Sequence, residues 1–185
     1  MLSSDVLTQF FNHVYIWGYL PMLTLVATWL YVKRRYRYPL FRNAFLISGG
    51  IALVLFVLLP TSPPRFLTWV GFEDTIALMA KAYRSGAYEG FVNNYAAIPR
   101  MHFGWVLLLG IAIVTQARWR LSRTAGMLMP GLMFVSIIVT GNHFIVDALI
   151  GGGVAIVGLM LAVALHRYGQ AIGDAVLTRR WAKKR

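Results

Sequence analysis

Apolar residues gather in five long runs, at about 11–32, 43–59, 101–117, 125–140 and 143–165, separated by basic clusters or by glycine and proline. Each run approaches or exceeds the ~20 residues that cross a bilayer as a helix. The pattern predicts an all-α polytopic membrane helix bundle of about five to six transmembrane helices. Residues 1–10 are mildly amphipathic and are expected at the interface. His13, Tyr15, Trp17 and Tyr19 at the start of the first run read as an interfacial aromatic belt. Small residues at Ser48-Gly49-Gly50, Gly151-Gly152-Gly153 and Gly158 allow close helix approach. Pro130 either kinks the fourth run or sits in its first turn, and Gly141-Asn142 forms a turn with Asn142 capping the fifth. Residues 60–100 make the one long connection. Within it 66–72 is aromatic and apolar and 74–88 has helical periodicity, which predicts short interfacial helices over a site.

Composition sharpens this picture. Of 185 residues 58% are hydrophobic, and the mean hydropathy is +0.63. The chain reads as a single integral-membrane domain over 1–185, ending in a basic, partly disordered tail at 167–185. A formal charge of +12 would suit nucleic acid, but its placement excludes that partner. Fourteen of the 18 Lys and Arg fall in three segments between the apolar runs: five in 33–42, three in 118–123 and six in 167–185. Under the positive-inside rule those segments are cytoplasmic, so the N-terminus faces outward, the C-terminus inward, and the host is expected to be the cell membrane. The absence of cysteine removes disulfides and thiolate metal sites. No basic leader with a cleavage site precedes the first run.

The candidate chemistry lies in Thr140-Gly141-Asn142-His143-Phe144-Ile145-Val146-Asp147. His143 and Asp147, four residues apart, share one helix face. An ionisable pair is costly in a bilayer and marks a functional site by default. The predicted sidedness brings Arg65, Arg100, His102, His143 and Asp147 to the same outer face. The third and fifth runs both begin there, presenting helix N-termini that favour anions, and arginine forks match phosphate oxygens. Two histidines in that setting supply a nucleophile and a proton donor for phosphoryl transfer. Asn94, Tyr95 and Asn142 are candidate pocket residues, and Lys81 and Arg84 are expected to contact headgroups. Glu73, Asp74 and Glu89 are too scattered for a two-metal cluster, so neither a metal nor another cofactor is expected. Other readings are a buried structural His–Asp pair, a haem-binding electron carrier, and a non-catalytic lipid-binding module. Haem ligands normally project from facing helices within the bilayer rather than from first residues beside arginines.

These residues resemble the phosphatidic-acid phosphatase type 2 superfamily of membrane lipid phosphatases, and within it the branch of inositol phosphorylceramide synthases. The family pattern joins a Lys/Arg-Pro segment, a Pro-Ser-x-His segment and a Ser-Arg-x5-His-x3-Asp segment. Here the second is similar to Pro99-Arg100-Met101-His102, the third to Thr140 through Asp147, and the first survives as Pro63-Pro64-Arg65. Order and spacing agree over about 55–155. The resemblance implies a metal-independent enzyme acting on a lipid phosphate or pyrophosphate, with water or an alcohol such as inositol as acceptor. It implies that His143 attacks phosphorus, Asp147 holds the other ring nitrogen, His102 protonates the leaving oxygen, and Arg65 and Arg100 hold the phosphate. Four positions depart from the pattern. Arg100 stands where the family has Ser, Ile137 where it has Arg, Leu58 where it has Lys, and Phe66 where it has Pro. The expectation is that Arg100 supplies from another helix the charge lost at Ile137.

Overall fold

A computed structural model describes residues 2–58, 101–139 and 145–182. Among them every regular element is a helix: α1 (Leu2–Trp17), α2 (Tyr19–Lys33), α3 (Tyr38–Leu58), α4 (Met101–Gln116), α5 (Arg120–Val139) and α6 (Ile145–Ala182). The expected interfacial helices of 60–100 lie outside the described residues, as do Gly141 and Asn142.

The first apolar run is two helices, not one. Pro21 falls in the first turn of α2, so it offers no N–H to the Trp17 carbonyl and its ring crowds that oxygen. The helix therefore breaks at Gly18, whose N–H still closes on Val14 O at 2.9 Å. The two halves meet at 42°. Residues 2–10, expected at the interface, are helical and belong to α1. Two other boundaries move outward by five residues, α3 starting at Tyr38 and α5 at Arg120. Pro130 accordingly lies mid-helix. It leaves the Gly126 carbonyl without an intrahelical donor, and that oxygen faces Gly110 of α4, where a Cβ would come within 2.5 Å of it. The largest difference is at the C-terminus. The segment at 167–185 read as a partly disordered tail continues α6 as far as Ala182.

Three helices, α3, α5 and the 145–169 part of α6, are each long and apolar enough to cross a membrane, and the bent α1–α2 pair makes a fourth. α4 is apolar but has only 16 residues, about 24 Å of helix. Large apolar side chains cover the outer surface: Leu25 is 71% exposed, Val57 76% and Met160 65%. Helices apolar all round belong in lipid, and this is a multi-pass membrane protein.

α4 is the axis of the bundle, packed against α2, α3, α5 and α6. Val106, Leu108, Leu109 and Ala112 of α4 form the core with Met22, Val26 and Leu30 of α2 and Met133 and Ile137 of α5. Two further glycines make close crossings with α6 possible. Gly104 lies against the backbone carbonyl of Gly151, with Ala155 Cβ next to it, so α4 and α6 touch backbone to backbone. Gly158 faces α3, where a Cβ would meet Ser48 Cβ at 2.7 Å and Ala44 O at 2.9 Å. Gly50 and Gly153, read as packing positions, instead face open space.

Candidate functional site

His102 is the second residue of α4 and Asp147 the third of α6. The Gly104–Gly151 crossing fixes their relative height. His102 precedes one glycine by two residues and Asp147 precedes the other by four, so both stand at the same mouth of the bundle. Asp147 is 1% exposed. A carboxylate in the first helical turn is stabilised by the positive end of the helix dipole, which offsets part of its desolvation.

His102 is half-buried in an aromatic cradle. The Tyr15 ring stacks on it, centroids 5.5 Å apart at 23°, and Tyr19 meets it at 5.2 Å and 60°. Tyr19 in turn stacks on Trp105 at 5.6 Å, and Trp105 on Phe45 at 4.9 Å. The indole Nε1–H donates to Ser48 Oγ at 3.3 Å, and that hydroxyl donates to Phe45 O at 3.0 Å. One continuous stack thus joins α1, α2, α4 and α3 and sets the plane of the imidazole. Offset aromatic contacts of this kind contribute about 0.5–1.5 kcal/mol each beyond area burial.

These rings correct the reading of an interfacial belt. Tyr15 is 5% exposed and Tyr19 8%, both pointing inward. His13, on the opposite face of α1, is exposed and its Nδ1 bonds its own helix at Gln9 O, 2.8 Å.

Asn12 is the residue that motif reasoning passed over. It lies one turn before Tyr15 on the same face and is 1% exposed, and neither its amide oxygen nor its nitrogen has a hydrogen-bond partner among the described residues. The neighbouring Phe11 carbonyl accepts from Ser136 Oγ at 2.6 Å, which pins this turn to the end of α5. An asparagine recurring with two tyrosines at i, i+3 and i+7 in an apolar run was the available signal.

Of the residues expected to form the site, His102 and Asp147 are described, and both lie at the same end of the bundle. His143, Asn142, Arg65, Arg100, Asn94 and Tyr95 lie outside the described residues. Ile137, at the position where the family pattern has arginine, is fully buried in the core beside Met133, so apolar packing replaces charge there.

Comparison with curated proteins gave no significant match, and neither did comparison with solved structures. A family model described as the PAP2 superfamily matches residues 1–163, a stretch that contains α1 through α5, the first half of α6 and both described site residues. Its members are phosphatases or phosphotransferases, and with a match over most of the chain and a polytopic helical bundle, this chain belongs to the PAP2 superfamily.

Proposed function

We propose that this protein is a membrane lipid phosphatase or phosphotransferase that acts on a lipid phosphate or pyrophosphate at the extracytoplasmic face, through a phosphohistidine and without a metal. The observation that carries this reading is that His102 and Asp147 stand in the first turns of two touching helices at one end of the bundle, Asp147 four residues after His143 in sequence. With the basic segments cytoplasmic, that mouth opens outward.

In the first step a ring nitrogen of His143 attacks phosphorus while the other N–H is held by Asp147. The bond to the leaving oxygen breaks, its electron pair stays on that oxygen, and His102 delivers a proton to it. In the second step His102 takes a proton from water, or from an alcohol such as inositol, which attacks phosphorus and releases His143. Arg65 and Arg100 hold the equatorial oxygens, with Asn94, Tyr95 and Asn142 around them. The Asn12 amide, buried at this same end, supplies a further N–H donor to the phosphate.

The test is phosphate release from a panel of lipid phosphates by detergent-purified protein, with and without inositol and with and without chelator. We expect release in wild type and its disappearance in His143→Ala, together with a labelled phosphoprotein intermediate. Activity that dies in chelator refutes the metal-free step, and a fully active His143→Ala refutes the nucleophile. Product formed only when inositol is present assigns the acceptor as an alcohol.

A further inference from the structure

At the other end of the bundle a cleft of about 690 Å³ opens between α2, α4 and α5. Its mouth carries Lys33, Arg34 and Arg118, flanked by Trp29 and Trp119, and its walls are apolar, with Leu25 and Ile113 among them. Two arginines fasten the α4–α5 turn that forms one lip. Arg34 Nε donates to Gln116 O at 2.9 Å and Arg123 Nε to Ala117 O at 2.9 Å. The first bond uses only one of the five N–H donors of Arg34. Among the described side chains the only carboxylate is Asp147, in the first turn of α6. The cleft lies at the last turn of α4, about 20 Å of helix away from that level. Three cations therefore face the cleft mouth with no described carboxylate near them.

We propose that this cleft binds one anionic phospholipid. The headgroup phosphate sits among Lys33, Arg34 and Arg118, the two indoles lie at headgroup depth, and an acyl chain runs along Leu25 and Ile113. Charge complementarity selects the occupant. A zwitterionic lipid brings its own cation to a mouth that already holds three, whereas an anionic one neutralises them. A merely basic surface would attract anionic headgroups diffusely. Here cations from two elements, 84 positions apart between Arg34 and Arg118, meet over one apolar groove, and Trp119 at 78% exposure projects at the interface that indoles prefer. The site is separate from the histidines and does not depend on their chemistry.

The test is native mass spectrometry of the delipidated full chain with phosphatidylglycerol or phosphatidylcholine of identical acyl chains. Wild type is expected to retain one phosphatidylglycerol and to release phosphatidylcholine. Lys33→Gln with Arg118→Gln should weaken retention by on the order of tenfold or more, whereas Arg37→Gln with Arg167→Gln, equal in charge but off the cleft, should not. Ser122→Trp fills the groove without changing charge and should also expel the lipid, so the proposal does not hang on one variant. Equal loss from both double variants, equal retention of the two lipids, or no retained lipid overturns it.

Discussion

Replacing Asn12 by leucine should stabilise the protein and impair it together. Leucine has the same branched outline, with methyl groups where the amide oxygen and nitrogen stand. Asn12 is 1% exposed and both polar atoms lack partners among the described residues. Burying an amide without hydrogen bonds costs about 1–3 kcal/mol in protein mutational data. Leucine also exceeds asparagine in helix propensity by a few tenths of a kcal/mol. Set against these is the extra volume of two methyls beside Ser136 and the Phe11 backbone, where overpacking costs about 1 kcal/mol or more. The balance is a gain of up to about 2 kcal/mol, read as a rise of up to a few degrees in the melting temperature of detergent-purified protein. Phosphate release should fall, because the donor offered to a phosphate oxygen is gone. Inorganic phosphate should raise the melting temperature of wild type more than that of the variant. Asn12→Asp should also lose activity, since it sets an anion against an anion. A lower melting temperature with full activity in Asn12→Leu would refute the reasoning, for it would mean that the amide serves packing alone.

Other perturbations separate the site from its scaffold. Asp147→Asn should lower kcat by on the order of 10²-fold while the phosphohistidine, if trapped, still maps to His143, which peptide sequencing after labelling would check. Tyr19→Ala removes the ring between His102 and Trp105, and should reduce kcat more than it changes KM, whereas Tyr19→Phe keeps the ring and should retain most activity. Trp105→Phe loses the indole bond to Ser48 and should cost about 1 kcal/mol, measured by thermal unfolding with activity followed alongside. Gly158→Ala drives a methyl into Ser48 and the Ala44 carbonyl of α3, and should destabilise by about 1–3 kcal/mol. An unchanged melting temperature there would mean that α3 and α6 separate freely.

The spans and the core of the candidate site are readable from residue order because their physics is local. A bilayer requires long apolar runs, basic clusters interrupt them, and Pro99-Arg100-Met101-His102 with His143 and Asp147 carries its spacing in the chain itself. Within that local reading Pro21 already foretells the break at Gly18, since a proline in a first turn denies the preceding helix its continuation. Tyr15 and Tyr19 are different. A tyrosine near a span end satisfies an aromatic belt and a buried cradle equally well, and only the packing of α1 and α2 against α4 decides that both turn toward His102. The same holds for Asn12, whose want of a partner is a property of its neighbours and not of its own sequence. The length of α6 beyond the bilayer also lay outside an apolar-run argument, because a basic helix and a basic coil share one composition. Residue order determined which groups this protein owns and how they lie along the membrane normal. Tertiary structure alone decided which of them meet, because the Gly104–Gly151 crossing of α4 with α6, the seating of His102 against Tyr15 and Tyr19, and the groove that gathers Lys33, Arg34 and Arg118 join positions that no sequence spacing relates.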